Sequence, residues 1–228
     1  MIIALSDTGG GRAVGAVTLG TRRRVSLQVS SIALILFLTS CATPDRDHRI
    51  VISTKDQKLA LLEKGNLVAL YPVSTSKFGL GDGRGTCRTP LGELEVADKI
   101  GTGAPSGAVF KDRRRTGEIV GVDSPGRDPI VTRILWLRGR EPQNANAFAR
   151  TIYIHGTPEE RNLGRPASYG CVRMRSSDII NLYEIVGRGA EVTIVDLPMI
   201  AVIPTLNAGS HTVEAHSGAG GTTSVSVH

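Results

Sequence analysis

A mostly β domain with a single clear helix is what the sequence predicts, and three observations predict it. Short apolar, β-branched runs recur through the middle of the chain. Glycine is frequent, at 27 of 228 residues, which favours turns and strands over long helices. Only one segment carries a helical apolar stripe.

The elements follow in order. Ile50-Val51-Ile52, Lys58 to Leu62 and Leu67 to Tyr71 read as strands, and Lys64-Gly65-Asn66 joins the last two as a hairpin turn. Leu94 to Ile100 is a further strand. Ile130 to Leu137 alternates as a half-buried strand does, while Thr151 to Ile154 and Val192 to Val195 are short and β-branched, as central strands are. Glycines, prolines and the run Lys111-Asp112-Arg113-Arg114-Arg115 predict long irregular loops over 101–129, with the charge run as a solvated loop. The helix spans Asp178 to Val186, with Ser176 or Ser177 as N-cap, Gly187 as C-cap, and Ile179, Leu182, Tyr183 and Val186 on one face.

Composition narrows the functional classes. The formal charge is +6, but half of that excess lies in residues 1–41, where four arginines face one aspartate. Aromatics make up 4% and charged residues 21%, so neither base stacking nor a broad basic surface is in evidence, and no nucleic-acid partner is expected.

Residues 1–41 read as a signal peptide of the lipoprotein type. Arg22-Arg23-Arg24 precedes an apolar run whose core, Ile32 to Leu38, falls well short of the ~20 residues that span a bilayer. Leu38-Thr39-Ser40-Cys41 resembles a bacterial lipobox, so Cys41 is the expected lipidation site and a lipid anchor at Cys41 the expected membrane contact. This predicts a cell-envelope protein held on the periplasmic side of a bacterial membrane. Ala42 after the cysteine favours the outer membrane if the cell is Gram-negative. Residues 42–48 read as a polar tether, 49–198 as the folded domain, and 205–228 as a disordered tail rich in Gly, Ser and Thr.

Two stretches carry chemistry: Tyr153-Ile154-His155-Gly156-Thr157 and Ser168-Tyr169-Gly170-Cys171-Val172-Arg173-Met174. A cysteine nucleophile needs a base, because a free thiol has a pKa near 8.5, and histidine is its usual partner. Cys171 is therefore the candidate nucleophile and His155 the candidate general base and proton shuttle. Gly170 lets substrate approach the sulfur, and backbone N–H groups of its turn are candidates to hold an oxyanion. Arg173 is a candidate to bind a carboxylate or to steady the loop. The carbonyl of Gly156, or Ser168, is a candidate to orient the imidazole. A zinc site built from His48, Cys87, His155 and Cys171 has none of the usual ligand spacings, so no metal is expected. Cys87 reads as a free thiol, since a permanent bridge to Cys171 would block the nucleophile.

These motifs resemble the signature of the YkuD-type L,D-transpeptidases, in which a histidine precedes a Ser/Thr-His-Gly-Cys segment followed by an apolar residue and Asn or Arg. Thr89-Pro90-Leu91-Gly92 matches the family's Thr-Pro-x-Gly segment, and Tyr71 to Thr75 resembles the strand that enters it. Tyr169 stands where many relatives have histidine and reads as a flanking position. The resemblance covers about residues 49–197. It implies a β-sandwich-like catalytic domain with one helix after the catalytic Cys171, and no cofactor. It implies that Thr89 and Pro90 lie at the substrate. The activity implied is on peptidoglycan stem peptides: attack by Cys171, loss of D-Ala, a thioester, and transfer to an amine to give a 3→3 crosslink. Water as acceptor would make an L,D-carboxypeptidase, and a lysine of a lipoprotein is a third acceptor. A papain-like peptidase places its cysteine before its histidine, the reverse of the order here. A non-catalytic wall-binding lipoprotein would need neither residue of the pair.

Overall fold

The computed structural model describes residues 43–203. The expected signal peptide with Cys41, and the expected tail at 205–228, lie outside them. Among the described residues no helix is long and apolar enough to cross a membrane.

The described residues form ten strands and two α-helices: β1 (His48–Ser53), β2 (Lys58–Glu63), β3 (Asn66–Ser74), β4 (Gly92–Ile100), β5 (Ala108–Lys111), β6 (Arg114–Ile119), β7 (Ile130–Gly139), β8 (Tyr153–Gly156), β9 (Val172–Met174), α1 (Ser176–Ile185), β10 (Glu191–Val195) and α2 (Met199–Val202). The mostly β expectation holds. The strands form one sheet in the order β4-β10-β1-β2-β3-β9-β8-β7-β5-β6, and β4 also pairs with β7. That extra pairing closes eight strands into a ring and leaves β5–β6 as a hairpin off the edge of β7. Closure removes the exposed edges that an open sheet would present. Most neighbours run antiparallel, but β1–β10 and β8–β9 are parallel.

Alternation decides what each face does. Ile50, Ile52, Leu135, Ile154, Val172 and Ile194 point to one side and form the main core. Helix α1 adds Ile179, Leu182 and Val186 to it, so its predicted stripe is the buried one. Residues of opposite parity form a second layer: Val51, Ala60 and Leu62 pack under Met199 and Ile203. This layer carries the domain past the expected boundary at Pro198.

Three local expectations change. Residues 42–48 are not a free tether throughout, because Asp45 accepts from the Gly187 N–H (2.6 Å) and donates its own N–H to the Arg188 carbonyl (2.8 Å). His48 opens β1 and bonds Asp45 through Nδ1 at 2.9 Å. Part of the segment 101–129 is the β5–β6 hairpin, whose turn is made by Asp112 and Arg113 at positive φ. Neither residue is glycine, so the usual hairpin signal is missing there. The helix is capped by tertiary contact, with the Ser176 N–H donating to the Glu160 carboxylate (2.9 Å), and Val186 rather than Gly187 ends it.

A close approach seals the junction of β7 and β4. The buried Asn144 donates to the Leu91 and Glu93 carbonyls (3.0 and 2.9 Å). A Cβ added at Gly139 would overlap the Asn144 carbonyl. Gly139→Ala is therefore expected to destabilise the domain by about 2 kcal/mol or more, with the midpoint of urea unfolding as the measurement.

Candidate active site

His155 and Cys171 meet because two parallel strands share a register. Ile154 pairs with Val172 and His155 with Arg173, so Cys171, one residue ahead of β9, stands beside Tyr153. Ile154 and Val172 face the core. Tyr153, His155, Cys171 and Arg173 therefore share the opposite face. Strand spacing and rise put the Cα atoms of His155 and Cys171 roughly 8 Å apart, a gap that a thiol and an imidazole leaning together can close. Across the other edge of β8, Trp136 pairs with Tyr153 and Ile134 with His155. Cys171 packs on the apolar cluster that Ile134, Phe110 and Tyr153 build on this face.

The imidazole is held in one tautomer. His155 Nδ1 lies 2.8 Å from the Gly156 carbonyl, which can only accept, so Nδ1 carries the proton and Nε2 keeps its lone pair. Burial pushes the His155 pKa down to about 4, helped by the Arg173 charge and opposed by the Gly156 hydrogen bond. Burial pushes the Cys171 thiol up to about 11, against the pull of the Tyr153 N–H, Arg173 and Arg150. The resting pair is thus neutral thiol and neutral imidazole. The thiol donates to the Thr151 carbonyl at 3.5 Å.

Ser168 serves the cysteine turn, not the imidazole. Its hydroxyl donates to the Cys171 carbonyl (2.5 Å) and accepts from the Gly170 N–H (3.2 Å). The Gly170 N–H is consequently spent on Ser168, so it is not among the turn's N–H groups open to an oxyanion. Gly170 sits at φ +120°, and a Cβ there would press on the backbone of Cys87 and Arg88.

Thr89 and Pro90, expected at the substrate, are buried. The Thr89 hydroxyl donates to the Gly170 carbonyl (3.0 Å) and accepts from the Ser76 N–H (3.0 Å), so this segment braces the cysteine turn from behind. Arg173 is also committed within the protein. It pairs with Asp128 and Glu159 and donates to the Ala167 carbonyl (3.1 Å). Tyr169 is exposed beside it, with Lys77 Nζ 4.4 Å above its ring. These residues line a cavity of about 600 Å3 next to the cysteine turn.

One supporting pair escaped the sequence reading. Arg150 forms a buried ion pair with Asp82 (2.7 Å) and donates to the Thr86 and Arg88 carbonyls (2.8 and 2.7 Å). It thereby ties the loop behind Gly170 to the start of β8. No local periodicity marks either residue, since they are 68 positions apart. Cys87 is exposed and both Cys87 and Cys171 are free thiols. Among the described residues, no three His, Cys, Asp or Glu side chains are arranged to hold a metal ion.

The buried neutral His155 has a consequence for stability. An unfolded histidine titrates near 6.5 and the folded one near 4, so between these values the unfolded chain binds more protons. Stability from this group is therefore full above pH 6.5 and falls as pH drops toward 4, by up to about 3 kcal/mol. His155→Gln is expected to lose less stability than wild type over that interval, measured by denaturant unfolding at each pH.

Several known proteins are similar to this chain. A family model described as the L,D-transpeptidase catalytic domain (YkuD) matches residues 47–194. The protein YkuD of Bacillus subtilis (strain 168) is 46% identical over 149 residues, which are 64% of this chain and 65% of that protein. "Probable L,D-transpeptidase YbiS" of Escherichia coli (strain K12) is 29% identical over 181 residues, 76% of this chain and 53% of that protein. This chain thus spans about half to just under two thirds of the length of these relatives. A solved L,D-transpeptidase from Mycobacterium smegmatis aligns at 16% identity and a TM-score of 0.42, over 65% of this chain and 58% of that one. With the family model spanning most of the described residues, the chain belongs to the YkuD family of L,D-transpeptidase catalytic domains.

Proposed function

We propose that this protein is a cysteine L,D-transpeptidase that forms 3→3 crosslinks between peptidoglycan stem peptides. One observation carries the reading: an imidazole with its Nδ1 proton fixed by the Gly156 carbonyl stands on the same sheet face as a cysteine one residue ahead of the adjoining parallel strand. Family membership supplies the substrate class.

The chemistry follows from the resting protonation. Both groups are neutral, so the thiol proton moves to His155 Nε2 as Cys171 Sγ attacks the carbonyl of the third stem residue. The tetrahedral intermediate collapses, and imidazolium returns the proton to the leaving amine of D-Ala. A thioester on Cys171 remains. The amine of a second stem then attacks it, loses a proton to His155 and releases the thiol. Ser168, Gly170 and Thr89 hold the sulfur's turn still, so the geometry is prepaid by folding. We also propose the layout expected from the sequence: residues 1–41 as a lipoprotein signal, anchorage through Cys41 at the envelope, and 205–228 as a tail.

Cys171→Ala is expected to abolish D-Ala release from a tetrapeptide stem and to leave the melting temperature nearly unchanged. His155→Ala should cost at least about 100-fold in rate. A carbapenem should add one covalent mass to wild type and none to Cys171→Ala, read by intact-protein mass spectrometry. An adduct on Cys87 would defeat the assignment. Because His155 must be neutral to act, kcat/KM should fall only as pH drops through about 4, rather than near 6.5. Cys41→Ser should end labelling by radioactive palmitate, whereas equal labelling of wild type and variant would refute the anchor.

A further inference from the structure

The face that carries Cys171 holds a cation that the chemistry above does not use. Arg113 occupies the tip of the β5–β6 hairpin at φ +65°, next to Asp112 at +49°. Positive φ at both residues is what a two-residue hairpin loop requires, so the turn fixes where the Arg113 side chain starts. The Arg113 guanidinium lies 4.7 Å from the centre of the Trp136 ring, and its Nη1 donates to the Tyr153 hydroxyl at 3.4 Å. Tyr153 stands beside Cys171 in the β8–β9 register, and both pack into one apolar cluster. The arginine therefore hangs over the layer that holds the sulfur.

Its charge is uncommitted. Arg113 is exposed, and no carboxylate among the described residues forms an ion pair with it. The two guanidiniums that act on the thiol from within the domain are both engaged: Arg150 by Asp82, and Arg173 by Asp128 and Glu159. A free guanidinium at the mouth of an apolar site suits a carboxylate brought by the substrate, because it offers a bidentate fork to an anion that would otherwise be costly to desolvate.

The stem peptide supplies such a carboxylate in a defined place. The scissile bond joins the third residue to a terminal D-Ala. The α-carboxylate of that D-Ala is three bonds from the carbonyl carbon under attack, which places it within roughly 4 Å of that carbon. We propose that Arg113 is a specificity-determining residue that binds the terminal carboxylate of the leaving D-Ala and so selects stems that end in a free acid at the fourth position. The assignment rests on the stem-peptide reading of the site. It gives the hairpin a function of recognition: Trp136 and Tyr153 hold the guanidinium in place before substrate arrives.

The test compares two substrates on the full-length protein: a tetrapeptide stem with a free terminal carboxylate, and the same stem ending in D-alaninamide. Wild type is expected to prefer the acid by about tenfold or more in kcat/KM, chiefly through KM, the scale of a charge-assisted contact. Arg113→Gln should bring the two substrates to within about twofold, chiefly by raising KM for the acid. Arg113→Lys should restore part of the preference, and Arg114→Gln and Arg115→Gln should keep all of it. A merely structural Arg113 would lower both substrates equally. That result, or an unchanged acid-to-amide ratio in Arg113→Gln, would overturn the proposal. A wild type that turns over both substrates equally would overturn it alone. A wild type that releases neither amine would overturn the stem-peptide reading, and the Arg113 assignment with it.

Discussion

The parallel pairing of β8 with β9 is the constraint on which the site depends. Because side chains alternate along a strand, a register that matches Ile154 to Val172 sends both into the core and sends His155 and Cys171 out together. A slip of β9 by one residue would turn the Cys171 thiol into the core and Val172 out of it, so the core itself enforces the catalytic geometry. The site then needs no separate energy source to be assembled. Burial of the inner face selects the only register in which the outer face is chemically useful.

That economy explains how the remaining polar groups are used. The Gly156 carbonyl, at the end of the same strand, sets the imidazole tautomer. Ser168 and Thr89 bind the carbonyls of Cys171 and Gly170 and make the turn rigid. Arg150 and Asp82 bring the loop behind it to the start of β8. Each bond is made to backbone or to a buried partner, where a missing partner would leave a costly orphan. The cysteine turn is therefore fixed from three sides, and its outer side is left for substrate. The neutral resting pair follows from the same burial, which disfavours imidazolium and thiolate alike.

Much of this was legible in the residues. The strands at 50–52, 58–62, 67–71, 94–100, 130–137 and 192–195 carry alternation or β-branched runs, and each lies in an observed strand. The helix showed its stripe, and His155 and Cys171 were marked by residue type and order. The β5–β6 hairpin was hidden because Asp112 and Arg113 adopt turn conformations usually left to Gly or Asn, and because Arg114 to Ile119 are exposed throughout and show no alternation. The motif around Thr89 was recognisable, but its bonds to Gly170 and Ser76 were not, because they join segments far apart in the chain.

Local pattern and residue chemistry by themselves determined the mostly β class, the order of most elements, and the identity of the candidate nucleophile and base. Those properties depend on neighbours within a few positions, or on the reactivity of single side chains. Only the tertiary structure decided the closure of the ring through β4 and β7, the burial of Thr89 behind Gly170, the pairing of Arg150 with Asp82, and the position of Arg113 above Tyr153. Each joins segments far apart in the chain, and such contacts are chosen by the packing of the whole core, which no single window of sequence contains.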